Sequence, residues 1–188
     1  AAVLSTLIGT LAAIGISAMK KRGTTLMLGA TNIPLLNADI VTGISLMLLF
    51  VKFLNLGFVT VLIAHITFDI PYVILNVLPK LKQVNRNTYE AALDLGASPL
   101  YAFYKVTWPD IKSGVFSGFL MAVTMSLDDF IITHFTRGAG INTLSTLIYS
   151  EVRRGIKPSM YALSTVIFVA VLALLLISNF APKKKQES

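Results

Sequence analysis

The chain has 188 residues, of which 55% are hydrophobic and only 13% charged, with a formal net charge of +7 and a mean hydropathy of +0.75. A soluble domain carries about 25% charged residues, so this chain has too little polar surface to cover a core in water. Its positives lie between apolar runs rather than along one face, which argues against a nucleic-acid partner and for a lipid bilayer. The absence of cysteine excludes disulfides and thiolate metal sites.

Five stretches are predicted to cross a bilayer, whose hydrocarbon core of roughly 30 Å needs about 20 helical residues. The first, residues 1–19, is closed by Lys20, Lys21 and Arg22, a flank typical of the inner side of a membrane. Because the positives follow the apolar run, this stretch is not read as a signal peptide. Residues 24–31, ahead of Pro34, are placed along the interface. The second span is 36–54, with Asn37 and Asp39 near its start, and the third is 58–78.

Within the third span, the run HITFDIPYV sets Asp69 at membrane depth, one helical turn from His65, which is expected to hydrogen-bond it. Pro71 cannot donate to the carbonyl of Thr67 and loosens the helix there. Asp69 is read either as a carboxylate lining the path of a cation or as a neutral acid satisfied by His65. The second reading is preferred.

Residues 80–112 interrupt the apolar pattern with a soluble composition. Asn87 is expected to cap a short helix over 88–95, with Glu90 completing a capping box and Gly96 in the C′ position. Ser98 and Pro99 start a second helix, which Pro109 is expected to end, with Trp108 as an anchor at headgroup level. A two-turn helix is marginal alone in water and needs a neighbour. Ala92 and Gly96, with Ala91 and Ala97 alongside, form a small-residue surface, and Tyr89 and Leu93 offer an apolar contact. A projection that docks on another protein and a plain interfacial connector fit these residues equally well.

In the fourth span, 115–132, the preceding glycine begins a series: Gly114, Gly118, Ala122 and Ser126 recur every four residues. The series forms a ridge for close helix approach, expected to pack within the chain rather than at a subunit seam. Asp128 and Asp129 follow, roughly 28 Å along the helix from Pro109 and about 100° apart around it. At most one of them faces a central path; the plainer reading is an acid at a helix end, in water or paired with Arg137. An outer amphipathic helix is expected over 143–154, with Leu144, Leu147, Ile148 and Val152 at helical spacing and Gly155 and Pro158 closing it. Its Arg153 and Arg154, with Lys157, are read as solvated or headgroup contacts, or as a seat for an external binding protein. The fifth span is 161–181, ending at Lys183, Lys184 and Lys185.

With Lys20–Arg22 inside, eleven Lys and Arg fall on the inner side and five (Lys52, Arg137, Arg153, Arg154 and Lys157) on the outer. The C-terminus is then cytoplasmic and Ala1 begins outside, from which a further upstream span, six in the full protein, is expected. Residues 1–188 are treated as one transmembrane domain. Asp69 with Asp128 or Asp129 also admits an intramembrane aspartyl protease, in which two carboxylates share a proton, but that reading leaves the capped loop unexplained.

The loop resembles a known motif. Glu90-Ala91-Ala92, three residues, Gly96, nine residues and then Val106-Thr107-Trp108-Pro109 is similar to the EAA motif of ABC importer permeases, EAA, three, G, nine, I-x-L-P. Val stands for Ile, and Trp108 for Leu. The runs DIVTGISLMLLF, HITFDIPYVILNVLPKLK, EAALDLGAS, SLDDF and IYSEVRRGIKP resemble the spermidine/putrescine branch of that family, in its C-type subunit. The resemblance implies an all-α polytopic membrane bundle of the type I ABC importer permease kind, in a bacterial inner membrane. Residues 80–112 would be its cytoplasmic coupling loop, with Glu90, Ala91, Ala92, Gly96 and Pro109 coupling it to an ATPase.

The partners implied are an ABC ATPase subunit dimer, a second permease subunit, an extracytoplasmic substrate-binding protein and the bilayer. The substrate implied is a polyamine, for which Asp69, Asp128 and Asp129 are candidate path residues. ATP and magnesium would be held by the ATPase. This chain is expected to bind no cofactor, since it has no G-x-x-x-x-G-K-[ST] loop. Another solute, such as an amino acid or metal chelate, is the alternative within the same architecture.

Overall fold

The computed structural model describes residues 1–154, Pro158, 161–169 and Leu172, and among them every regular element is helical. The chain divides into two compact units, Ala1–Ser145 and Thr146–Ser188. The first contains α1 (Ala2–Ala18), α2 (Lys21–Leu36), α3 (Asp39–Phe53), α4 (Phe58–Gln83), α5 (Arg86–Asp94), α6 (Pro99–Ala102), a π-helical turn (Phe103–Thr107), α7 (Trp108–Asp128) and α8 (Ile131–Thr136). The ninth helix, α9 (Leu144–Arg154), begins at the end of the first unit and runs into the second. In the second unit Arg153 lies over the ring of Tyr149 at 5.8 Å, and residues 161–169 are helical. Apart from Leu172, the remainder of the predicted fifth span, and Lys183 to Lys185, lie outside the described residues.

α4 is the axis of the first unit: α1, α2, α7 and α8 all pack on it. At 26 residues it is about 39 Å long, continuous through Pro71 and Pro79. Its lower half joins Ala13 and Ile16 of α1 and Ala122 of α7 in one buried cluster through Val73, Ile74, Val77 and Leu78. Its upper half joins Phe50 of α3 and Ile132 of α8 through Ala64 and Phe68. Val73 is fully buried and is the point where three helices meet. A β-carbon on Gly9 of α1 would lie 2.7 Å from the Val73 β-carbon, and one on Gly118 of α7 would lie 3.2 Å from its α-carbon.

The inward face of α1 is small and hydroxylic: Ser5, Thr6, Gly9, Thr10, Ala13 and Ile16 are buried. Its outward face carries Val3, Leu4, Leu7, Ile8 and Leu11, all exposed. Water would select the reverse arrangement. Large apolar side chains outside, with small residues and self-bonded hydroxyls at the helix contacts, are what a hydrocarbon surrounding selects. The hydroxyls of Ser5 and Thr6 bond backward along the helix, Thr6 to the Ala2 carbonyl at 2.7 Å, and so need no partner from lipid.

The boundaries differ from the predicted spans at two places. Residues 24–36 belong to α2, which continues through Pro34 and meets α3 at a bend of 102°, so the predicted second span is α3 alone, shortened at its start, with Leu36 left on α2. Asn37 and Ala38, both extended, make the break. The predicted fourth span ends at Asp128, where Asp129 turns extended and α8 begins afresh at Ile131. Of the described helices, α4 alone is long and apolar enough to cross a membrane, α2 and α3 pass only as a bent pair, and α1 is apolar but shorter.

Candidate functional site

Residues 80–112 form a helical projection whose turns are set locally. α5 begins at Arg86, capped by the Asn85 side chain, which accepts from the Asn87 amide at 3.0 Å. The cap is therefore Asn85 and not Asn87: both are capping residue types, and the chain is extended at 85 and already helical at 87. The helix stops in a Schellman motif: the Gly96 amide donates to the Leu93 carbonyl at 2.9 Å and the Ala97 amide to the Ala92 carbonyl at 3.0 Å. Gly96 has φ +87, the left-handed region that glycine enters without a steric penalty. Ser98 then caps α6 by accepting from the Tyr101 amide at 3.4 Å, with Pro99 in the first helical turn.

Pro109 does not end a helix. The chain stays helical from Pro99 to Asp128, and Pro109 sits in the first turn of α7, directly after the π turn. The Trp108 amide reaches back five residues to the Phe103 carbonyl, the wide spacing of a π-bulge. That wide turn lies where proline, with no N–H and a bulky ring, would otherwise disrupt an ordinary helical turn. The projection leaves an apolar edge uncovered: Leu95 is 90% exposed and Leu100 83%, with Tyr101 and Tyr104 beside them. Glu90 and Ala91 are exposed and Ala92 is half-buried.

The intramembrane polar residues arrange themselves differently from the simplest pairing along one helix. His65 does not bond Asp69. Its Nδ1 lies 2.9 Å from Ser126 Oγ on α7, and its Nε2 lies 2.7 Å from Thr133 Oγ1 on α8, because α4 turns that face toward the α7–α8 corner. Asp129 caps α8: its carboxylate accepts from the amides of Ile132 at 3.0 Å and Thr133 at 2.8 Å, and from the Thr133 hydroxyl at 2.9 Å. It also lies 3.4 Å from His65 Nε2. Since the Thr133 hydroxyl proton goes to Asp129, His65 Nε2 is the donor to Thr133. In the neutral ring, Nδ1 then accepts from Ser126.

Asp128, its neighbour, is exposed. Arg137 bonds neither acid; it donates to the Ile141 carbonyl at 3.3 Å and to Asn142 Oδ1 at 2.7 Å. Asp69 is fully buried, and neither of its oxygens meets a donor among the described residues. An acid so placed at membrane depth is a candidate functional residue by its cost alone.

The ridge on α7 faces α4. A β-carbon on Gly114 would come within 2.8 Å of the Asn76 carbonyl oxygen, Gly118 abuts Val73, Ala122 is fully buried and Ser126 meets His65. Thr133, central to the polar cluster, carries no signal in the sequence, since its partner His65 is 68 residues away. Among the described residues no group of three or more His, Cys, Asp or Glu is placed to hold a metal ion.

The lipid-suited exterior and the small-residue helix contacts define a membrane-embedded helical protein with one polar, capped projection. The family model described as the binding-protein-dependent transport system inner membrane component matches residues 5–183, and the chain belongs to that family. Membership places it among transport components and sets aside the intramembrane protease.

Among its relatives, the putrescine transport system permease protein PotI of Escherichia coli (strain K12) is 38% identical over 179 residues, 91% of this chain and 64% of that protein. The spermidine/putrescine transport system permease protein PotC of Haemophilus influenzae is 37% identical over 185 residues, 98% of this chain and 72% of that protein. A PotC homolog of Mycoplasma pneumoniae is 38% identical over 156 residues, 80% of this chain and 54% of that protein. The chain thus spans 64% of the length of the putrescine permease it matches.

Proposed function

We propose that this chain is a membrane-spanning permease subunit of an ATP-driven importer for polyamines, spermidine or putrescine. The observation that carries the coupling role is the projection at 86–104. It is a short helix with a glycine-closed Schellman end and an uncovered edge of Leu95, Leu100, Tyr101 and Tyr104. An exposed apolar edge on a polar, capped loop is what docking into a cleft of a soluble protein requires. The partner is an ABC ATPase subunit, present as a dimer that holds ATP and magnesium, and Glu90, Ala91, Ala92, Gly96 and Pro109 form or brace the contact. Closure of that dimer on ATP pulls the projection, and α7, continuous with it through the π turn, transmits the pull to the bundle.

The names of the relatives support the polyamine. A second permease subunit completes the path, and an extracytoplasmic binding protein delivers the substrate. The chain lies in the inner membrane with its C-terminus in the cytoplasm. Asp69 and Asp128 are the acids along the path for a linear polycation. Asp129, engaged in capping α8, contributes negative potential rather than a free carboxylate.

The test is ATP-dependent uptake of labelled spermidine by vesicles holding the full-length protein with its co-purified partners. Wild-type vesicles are expected to accumulate spermidine, and Gly96→Asp vesicles, with equal permease in the membrane, to accumulate none. Normal uptake by that variant contradicts the coupling role. Uptake of an amino acid or metal chelate in place of spermidine would keep the coupling and replace the substrate.

A further inference from the structure

The buried face of the helix that joins the projection to the bundle is out of step with an α-helix by one residue. Ile111 is fully buried and Thr107, four residues before it, is 9% exposed. Another step of four would bring Phe103 inward. The next inward residue is instead Ala102, at 1% exposure, while Phe103 stays half-buried. Five residues, not four, separate Ala102 from Thr107, and the π turn at 103–107 holds the additional one. Beyond the turn the inward line continues through Gly114, Gly118 and Ala122 against α4.

We propose that this π turn, braced by Pro109, is a positioning device that sets the angle of the docking edge about the axis of α7. The proposal rests on the coupling role given above. Each helical residue turns the chain by about 100°. If residues 103–107 closed as an ordinary α-helix, Phe103 would rotate into Ala102's place, and Leu100 and Tyr101 would swing by one residue's rotation away from their present direction. Pro109 opposes that closure because it lacks the amide that would bond the Lys105 carbonyl in an α-turn. The accommodation is local, so the small residue Ala102 packs inward while the large apolar side chains remain outside for the partner.

An asymmetry between removing and adding a residue tests this. Deleting Phe103 in a Pro109→Ala chain removes the supernumerary residue together with the proline that opposes an α-turn, so the helix can run regularly with Ala102 four residues before Thr107 and the docking edge in its present direction. Inserting one alanine between Phe103 and Tyr104 turns the edge instead. In the full-length protein assembled with its ATPase, the deletion is expected to keep ATP-dependent spermidine uptake and the insertion to abolish it, with both chains present in the membrane.

Pro109→Ala alone supplies a second reading should the inserted chain fail to accumulate. It restores the missing donor, lets the turn close, and is expected to lose uptake, which deleting Phe103 in the same chain restores. Equal loss from deletion and insertion, an insertion without effect, or a Pro109→Ala defect that the deletion leaves unchanged would overturn the proposal while leaving the coupling role in place. A wild-type complex without ATP-dependent uptake would overturn both.

Discussion

Asp128 and Asp129 show how far adjacent residues of one type diverge once a helix ends between them. Asp128 is the last residue of α7 and is exposed. Asp129 is extended, and its carboxylate gathers two amides and a hydroxyl of α8. Replacing a carboxylate that caps a helix costs about 1 kcal/mol, whereas a solvated one costs little. Asp129→Ala is therefore expected to lower the thermal unfolding midpoint in detergent, and Asp128→Ala to leave it within error. Equal shifts would contradict the cap. The pair was legible in the sequence as a helix-end feature, but not as a cap, because the amides it meets become available only once the chain breaks at 129. Gly96 and Ser98 were legible in full, since a C′ glycine and a Ser-Pro start act within a few residues. The partners of His65 were not, lying 61 and 68 residues away.

At the scale of elements, the ridge on α7 makes the same residue type indispensable at one place and incidental at another. A β-carbon on Gly114 would meet the Asn76 carbonyl oxygen at 2.8 Å, whereas one on Gly15 of α1 would meet nothing within 4 Å. Backbone on the far side cannot swing away, so Gly114→Ala must push α7 from α4, at a cost of about 1–3 kcal/mol. Gly15→Ala, in an open helix position, is expected to be neutral or slightly stabilising. Detergent melts of the two variants check this, and equal stability would mean that α7 and α4 are not in close contact. The four-residue spacing of the ridge announced a close helix contact from the sequence, though not which helix lies opposite. Pro109 misled as a helix end because proline suits both a terminus and a first turn. A π turn leaves no mark in hydrophobic spacing unless burial is known on both sides of it.

For the molecule as a whole, composition alone identified the solvent: a chain with 13% charged residues presents Leu, Ile and Val outward on α1 and small residues inward. The helical bundle followed from that, while the 102° break between α2 and α3 depends on local backbone at Asn37 and Ala38 that periodicity does not report. In the function proposed, the bundle takes its task from the projection, where Leu95 and Leu100 are exposed. Placing cysteine at Leu95 in the full-length complex and adding a short thiol crosslinker measures the central claim directly. The expected product joins this subunit to the ATP-hydrolysing subunit, with a yield that changes between nucleotide-free and ATP-bound states. A Leu95 cysteine that reacts freely with a soluble thiol reagent in the intact complex, and never joins the ATP hydrolase, would contradict it.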